Sequence, residues 1–201
     1  MKTDQIIPNL YICSAAEAAM KDKLLKTGIT HILVTGRGLT CRFKRSFKYK
    51  KIEIMDLKSI KLKSYLLPGL QFIDSILVEQ YTSNQGPKKP KSATLKVLVH
   101  CLAGASRSVS FVIAYLMLKL RLRFKPTLAY VKARRTQASP NDGFRKQLEA
   151  FEETVQKYWT AQTGDWADYD VLFLAGKLTD EAFSVAMGLP VNFVLLRKLL
   201  G

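Results

Sequence analysis

The 201-residue sequence predicts an α/β domain with a mostly parallel central sheet flanked by helices. Segments with the character of short strands alternate with segments of helical spacing, which is typical of a parallel sheet connected by helices. Residues 95–100 form a short apolar run, as expected for a strand that is buried in such a sheet. Residues 106–120 are apolar on nearly every side of a helix, so this helix is predicted to lie inside the domain.

The other elements follow from local signals along the chain. Ser14 is the predicted N-cap of a first helix, and Gly28 closes that helix. Asn, Gly and Pro among lysines mark residues 83–94 as a surface loop. That first helix spans residues 15–26. Further strands are predicted at residues 10–13, 30–34 and 47–54, and further helices at residues 62–80, 126–135 and 142–159.

The composition changes after Trp159, where three aspartates surround Trp166. Short helices are predicted beyond them, at residues 178–186 and 191–200. The sequence therefore predicts a main domain at residues 1–158 and a helical extension at residues 159–201 that packs on it. An independent function of the extension is the alternative.

Composition excludes several classes of protein. The apolar share of 48% is that of a globular chain rather than a disordered one. Its apolar runs are too short to span a bilayer. The three cysteines are widely spaced, which predicts neither a disulfide framework nor a metal site. We expect no cofactor. We also expect the protein to lie in a reducing compartment, the cytoplasm and in addition the nucleus.

The charge balance is strongly basic, with 32 Lys and Arg against 16 Asp and Glu, a formal net charge of +16. Such a field attracts polyanions. The bias is greatest from Arg37 to Lys63, where Glu53 and Asp56 are the opposing charges. This basic segment is either a solvated face that keeps the protein soluble or a surface that binds anionic partners weakly. It contains Arg42, Lys44, Arg45, Lys48, Lys50, Lys51, Lys58 and Lys61.

The segment between the buried strand and the buried helix carries the chemistry. It reads His-Cys-Leu-Ala-Gly-Ala-Ser-Arg-Ser from residue 100 to residue 108. A loop in this position wraps backbone N–H groups around an anion and directs a helix N-terminus at it. Gly104 allows the conformation that such a loop requires, and Arg107 can bind two phosphate oxygens through its planar fork. The predicted phosphate-binding residues are Leu102, Ala103, Gly104, Ala105, Ser106 and Arg107.

Cys101 is the predicted nucleophile, because the positive surroundings of the loop favour its thiolate. Ser108 is placed to donate its hydroxyl to the sulfur and ease the departure of the thiolate. The alternative is a core cysteine, and Cys-x5-Arg alone arises by chance in about one such chain in ten. The full pattern is far rarer, so we adopt the nucleophile.

This pattern resembles the signature of the dual-specificity phosphatases within the protein tyrosine phosphatase superfamily. Pro-Asn-Leu-Tyr-Ile at residues 8–12 and Pro-Asn-Asp-Gly-Phe at residues 140–144 look like the same family. The chain is most similar to the small atypical members, in particular the JNK-pathway subgroup. The resemblance implies the fold of that superfamily, with residues 1–158 as the catalytic domain. It also implies hydrolysis of phosphotyrosine, phosphoserine and phosphothreonine in proteins through a phosphocysteine intermediate.

An acid must protonate the leaving oxygen in such a reaction. Asp56 follows a predicted strand and so lies at the sheet edge where sites gather. From the residues alone it is equally a solvated loop residue or a helix cap. The family's acid matches Asp56, whereas its rival Asp74 would lie in the middle of a helix.

Three further residues have open or supporting roles. His100 is either a buried strand-end residue or, as the family implies, a group that tunes the thiolate. Asn141 resembles the family's Asn that braces the loop, although an N-cap of the next helix explains it equally well. His31 is expected in the core.

Two other functions are consistent with a phosphate-binding loop. One is a phosphoprotein-binding adaptor that has lost its phosphatase activity. Such adaptors usually lack the cysteine, the arginine or the acid, whereas this chain has all three. The other is an RNA 5′-phosphatase or a phosphoinositide phosphatase, which the basic charge would favour. The expected partners are phosphorylated protein substrates, kinases among them.

Overall fold

The computed structural model describes residues 3–83, 94–164 and 186–200, and its described strands form one sheet. The strand order is β1-β2-β5-β3-β4. Strand β1 is antiparallel to β2, and the other neighbours are parallel. This confirms the predicted mostly parallel sheet. The strands are β1 (Asp4–Ile7), β2 (Leu10–Ser14), β3 (His31–Thr35), β4 (Lys48–Ile52) and β5 (Val97–Cys101).

Helices cover both faces of the sheet, as predicted. On one face, a large apolar core joins β5 to the long helices and includes Phe111, Leu148 and Ile73. On the other face, a smaller cluster packs Leu24 and Ala18 of the first helices against Ile32. The helices are α1 (Ala15–Ala18), α2 (Lys21–Thr27), α3 (Lys63–Ser83), α4 (Arg107–Leu120), α5 (Phe124–Arg134), α6 (Asp142–Thr163) and α7 (Phe193–Leu200).

Strand β5 lies in the middle of the sheet, between β2 and β3, and all five of its residues are buried. Its register pairs His100 with Cys13 on one side and with Val34 on the other. The carboxyl ends of these parallel strands therefore meet at one edge. The hydroxyl of Thr35 donates to the carbonyl of His100 at 3.0 Å and fixes that edge directly before Cys101.

The start of the chain differs from the prediction in two places. Strand β1 was not predicted, because it has only four residues; Asn9, with φ of 67°, turns it back onto β2. The predicted helix at residues 15–26 is two helices. Ser14 caps the first through a capping box with Glu17, and Met20, with ψ of 78°, leaves the helical region before α2.

The described part of the predicted extension packs on the core. Met187, Val191 and Leu196 are buried among residues of the main cluster. The backbone N–H of Val191 donates to the carboxylate of Asp74 at 2.9 Å. Helix α6 runs without a break across the predicted division between residues 158 and 159. Most of the predicted loop at 83–94 and of the predicted helix at 178–186 lies outside the described residues.

Candidate active site

The loop between β5 and α4 has the geometry of an anion cradle. Cys101 is the last residue of the buried strand, and Arg107 is the first residue of the helix. The backbone N–H of Gly104 points inward and donates to Sγ of Cys101 at 3.2 Å. At the N-cap of α4, the hydroxyl of Ser106 makes no capping bond, so the first amides of the helix stay available to an anion.

The sulfur of Cys101 lies at the bottom of this loop, where two donors reach it. The hydroxyl of Ser108 donates to Sγ at 3.3 Å, and the amide of Gly104 is the second donor. Hydrogen bonds to a thiolate stabilise its negative charge. The two serines of the pattern have different partners, since Ser106 turns away from the sulfur towards Asp56.

Arg107 is held beside the loop by the segment that follows β4. Its Nη1 donates to the carbonyl of Ile54 at 3.4 Å, and its Nε lies 3.5 Å from Oδ2 of Asp56. The Nε atom is buried and has no hydrogen-bond partner among the described residues. A buried donor of this kind needs an acceptor. A phosphate oxygen in the cradle would supply one.

Asp56 stands at the rim of the loop and belongs to the same site. Its Oδ1 accepts hydrogen bonds from the hydroxyl of Ser106 at 2.6 Å and from Nδ2 of Asn141 at 2.8 Å. Its side chain is 34% exposed, so a substrate can reach the carboxylate. The structure thus brings Asp56 together with the loop although 50 residues separate it from Ser106.

Asn141 is both the N-cap of α6 and a residue that contacts the loop, the two roles that the sequence left as alternatives. Its Oδ1 accepts from the backbone N–H of Phe144 at 2.9 Å, which makes it the N-cap of α6. Its own backbone N–H donates to the hydroxyl of Ser106 at 3.1 Å, and its side-chain amide holds Asp56. The start of α6 is therefore tied to the loop and to the carboxylate at once.

His100 is buried directly before the nucleophile. Its Nδ1 donates to the carbonyl of Cys101 at 3.3 Å. Burial lowers the pKa of His100 below its usual value, and the hydrogen bond to Cys101 opposes this effect. The neutral ring therefore contacts the backbone of Cys101, and any effect of His100 on the sulfur is indirect.

The remaining candidates from the sequence lie elsewhere. Asp74 is buried in the middle of α3, where it accepts from the hydroxyl of Tyr115 at 3.1 Å and from Nζ of Lys119 at 2.7 Å. Its partners are core groups, so it is a structural carboxylate. His31 is buried with its Nδ1 2.8 Å from the hydroxyl of Thr30, as expected of a core residue.

Arg135 binds the loop from behind, a contact that the sequence did not reveal. It is 2% exposed and lies behind the loop. Its Nε donates to the carbonyl of Gly104 at 2.5 Å, and its Nη2 donates to the carbonyl of Ala103 at 3.3 Å. Two carboxylates hold the guanidinium in turn: that of Asp4 at 2.7 Å and that of Glu17 at 3.6 Å. The sequence shows only a pair of arginines at a helix end, with no signal that one turns inward.

The segment after Arg135 completes this support. Nε2 of Gln137 donates to the carbonyl of Ala103 at 2.9 Å, and the backbone N–H of Ser139 donates to the carbonyl of Ala105 at 2.8 Å. Three successive carbonyls of the loop are thus bound from behind. Carbonyls that are held outward leave the loop amides free to face the sulfur.

Only glycine fits at position 104. Its φ is 68°, in the left-handed region, and a Cβ there would lie 2.4 Å from the carbonyl oxygen of Cys13. The same atom would lie 2.4 Å from Nη2 of Arg135. The glycine therefore permits both the backbone turn and the close approach of the groups that hold the loop.

Two features are absent from the part of the chain that the structure describes. The described residues contain no group of three or more His, Cys, Asp or Glu side chains that could hold a metal ion. Among the helices of residues 3–83, 94–164 and 186–200, none combines the length and apolar character needed to cross a membrane.

The chain is similar to dual specificity phosphatases over most of its length. The family model described as dual specificity phosphatase, catalytic domain, matches residues 10–154. Dual specificity protein phosphatase 1B of Arabidopsis thaliana is 39% identical over 152 residues, which cover 76% of this chain and 83% of that protein. Dual specificity protein phosphatase 9 of Homo sapiens is 38% identical over 154 residues, 76% of this chain and 36% of that longer protein. The crystal structure of DUSP15 matches with a TM-score of 0.65 and 30% identity, over 77% of this chain and 90% of that chain.

Proposed function

This chain belongs to the dual specificity phosphatase family and is a protein phosphatase, and we propose that it hydrolyses phosphotyrosine, phosphothreonine and phosphoserine in proteins through a phosphocysteine at Cys101. The observation that carries the proposal is the position of the Cys101 sulfur. It lies at the bottom of a loop from which the amide of Gly104 and the hydroxyl of Ser108 donate to it, with Arg107 and Asp56 at the same site.

In the first step, the thiolate of Cys101 attacks the phosphorus atom of the substrate. The S–P bond forms as the bond from phosphorus to the leaving oxygen breaks, and Asp56 gives its proton to that oxygen. Arg107 and the loop amides stabilise the charge on the three equatorial oxygens. The buried Nε of Arg107 lies 3.5 Å from Oδ2 of Asp56 without a hydrogen bond to it, so it can donate to a phosphate oxygen, which supports this role.

In the second step, water attacks the phosphocysteine. Asp56 now accepts a proton from the water, the new P–O bond forms, and the S–P bond breaks to return the thiolate. Ser108 eases this departure, since its hydroxyl already lies 3.3 Å from Sγ. The donors on Asp56, Ser106 and Asn141, hold the carboxylate at the rim in both steps.

Features of the loop favour phosphoproteins over lipid or RNA substrates. The residues between Cys101 and Ser106 bring no cation that could hold additional phosphate groups. Leu102 is 62% exposed and gives the mouth of the site an apolar rim instead. The adaptor alternative is also less favoured, because the nucleophile, the arginine and the acid are present together.

The proposal extends to partners and place. We infer that phosphorylated proteins, kinases among them, are the substrates, with weak binding to anionic surfaces through the basic segment from Arg37 to Lys63. A cytoplasmic or nuclear location is proposed, with residues 1–158 as the catalytic domain and residues 159–201 as an extension packed on it.

The test is a comparison of four substrates at physiological salt. Catalytic efficiency is measured on a phosphotyrosine peptide, a phosphothreonine peptide, a phosphoinositide and a 5′-triphosphate RNA. We expect both peptides to be cleaved, with phosphotyrosine faster, and the rates to fall as salt rises. A higher efficiency on the lipid or the RNA would disprove the proposed substrate class. Substrate trapping from a lysate with D56A or C101S would then identify the physiological phosphoproteins.

A further inference from the structure

We propose that a cavity beside the catalytic loop is a second substrate subsite, which takes an acidic side chain that flanks the phosphorylated residue of the substrate protein. The inference rests on the proposed function and adds a specificity determinant to it. The central residue of this flanking subsite is Arg42, in the segment that connects β3 to β4.

The cavity has a volume of about 200 Å³, and two of its lining residues, His100 and Ala15, are direct neighbours of the phosphate loop. It lies between α1 and the segment after β3, and His100 is one of the residues that line it. His100 directly precedes Cys101, and Ala15, another lining residue, donates its backbone N–H to the carbonyl of Leu102 at 2.9 Å. The cavity therefore lies beside the phosphate loop, and a peptide with its phosphate on Cys101 would bring a neighbouring residue towards it.

The lining suits one carboxylate on a short apolar stem. Arg42 and Thr40 are exposed and offer a guanidinium and a hydroxyl. The hydroxyl of Tyr49 accepts from the backbone N–H of Phe43 at 3.4 Å and keeps its own hydrogen for a further acceptor. Leu39 supplies an apolar wall that can cover methylene groups. Arg binds carboxylates through two parallel hydrogen bonds.

The size of the cavity argues for a side chain rather than a free ligand. Sites for drug-sized molecules enclose about 300–1,000 Å³. A space of about 200 Å³ is smaller, and it admits a single small group that a peptide presents. This is why we assign it to a residue of the protein substrate.

The charges around the cavity leave Arg42 available. The nearby carboxylate of Glu17 is buried and bound to the backbone of Ser14 at 2.7 Å and to Arg135. Glu53 is paired with Lys51 at 2.5 Å. No described carboxylate forms an ion pair with Arg42, and Lys44 and Arg45 beside it are exposed cations. The local field is therefore positive, and an acidic residue of the substrate would be its counter-charge.

The experiment compares phosphotyrosine peptides that differ only in their flanks. Peptides with Glu, Gln, Lys or phosphoserine on both sides of the phosphotyrosine are hydrolysed by the wild-type chain, by R42Q, by R42K and by the matched control R45Q. Arg45 lies in the same basic segment and has the same charge, but it does not line the cavity. The quantity compared is the ratio of kcat/KM for the Glu peptide to that for the Gln peptide.

For the wild-type chain we expect a ratio of about five to ten, which arises from a lower KM, as for a charge-assisted hydrogen bond at an accessible site. R42Q should bring the ratio close to one, R42K should restore part of it, and R45Q should keep it. Circular dichroism and thermal unfolding of R42Q should match the wild-type chain, because the side chain is exposed.

Several results would overturn the inference. A wild-type ratio near one would remove the preference itself. An equal fall in R42Q and R45Q would show a long-range field without a subsite. A flanking phosphoserine that outperforms Glu through Arg42 would make a second phosphate, not a carboxylate, the occupant. If the wild-type chain hydrolyses none of the peptides, the proposed function has failed; normal hydrolysis with indifference to the flanks means that only the flanking subsite has failed.

Discussion

The hydroxyl of Ser106 donates a hydrogen bond of 2.6 Å to the carboxylate of Asp56, and this bond joins the phosphate loop to the segment after β4. Asn141 adds a second donor to the same oxygen from the start of α6. Three parts of the chain, distant in sequence, thus position one carboxylate at the rim of the site. Two donors from rigid elements restrict the rotation of a side chain that is otherwise one-third exposed.

The first prediction concerns Asp56. D56N should lower kcat for a phosphotyrosine peptide by about 10²–10⁴-fold, because the amide cannot protonate the leaving oxygen. The loss should be much smaller for an aryl phosphate whose leaving group is already a stable anion. Steady-state kinetics on the two substrates, with S106A as a variant that loosens but keeps the carboxylate, test this. Equal losses of D56N on both substrates would assign Asp56 a structural role.

The second prediction concerns Cys101. C101S should abolish turnover of an aryl phosphate, because a serine hydroxyl is not deprotonated in the loop, and should still bind phosphate or vanadate. Anion binding is measured by calorimetry. Matched controls are C13S and C41S, whose turnover should persist; burial raises the pKa of the Cys13 thiol, which keeps it unreactive. Turnover by C101S above a few per cent of the wild-type rate would exclude Cys101 as the nucleophile.

The third prediction concerns Arg135, which acts on the reaction through the loop carbonyls. R135K keeps the charge but loses the planar fork that reaches Gly104 and Ala103. Displacement of the loop amides should lower kcat/KM by about 10–100-fold and weaken vanadate binding. R134K is the matched control, since Arg134 is exposed and contacts Tyr130. A fall in thermal stability of R135K without any change in vanadate affinity would leave Arg135 as a purely structural residue.

The fourth prediction concerns the pH dependence of stability. Burial lowers the pKa of both histidines, His31 and His100, below the usual value of 6.5. The unfolded chain then binds more protons than the folded chain near pH 6. The free energy of unfolding should therefore be highest above pH 6.5. It should fall as the pH drops from 6.5 through the pKa values of the two histidines in the folded chain.

Urea unfolding at pH 5.5 and pH 7.5 measures this difference, and H31Q and H100Q should each reduce it. The carboxylates with lowered pKa values titrate below their ordinary range near pH 4, so they do not contribute above pH 5.5. A stability that is unchanged between the two pH values would contradict the assignment of two neutral buried histidines.

Local patterns in the sequence were enough to predict the sheet, the buried strand β5 and the buried helix α4. They also placed the cysteine loop between strand and helix, because a run of apolar residues and the residues that end it act over a few positions. The sequence also allowed Asp56 to be predicted at the site, because it follows a strand and the carboxyl ends of parallel strands lie at one edge of the sheet. The short strand β1 and the break at Met20 were missed, since each spans too few residues to form a period.

The tertiary structure alone decided the contacts that depend on which side chain turns inward. Arg134 and Arg135 are neighbours of the same type, yet one is exposed and the other binds the loop from behind. The partners of Arg135 are a strand residue, Asp4, and a helix residue, Glu17, which meet it only once the sheet has formed. The cavity beside Arg42 likewise exists only between packed elements. The sequence by itself was enough to predict a nucleophile at Cys101 and the loop around it, because those groups are adjacent along the chain. The carboxylates, carbonyls and cations around the loop are brought together by packing over long sequence distances.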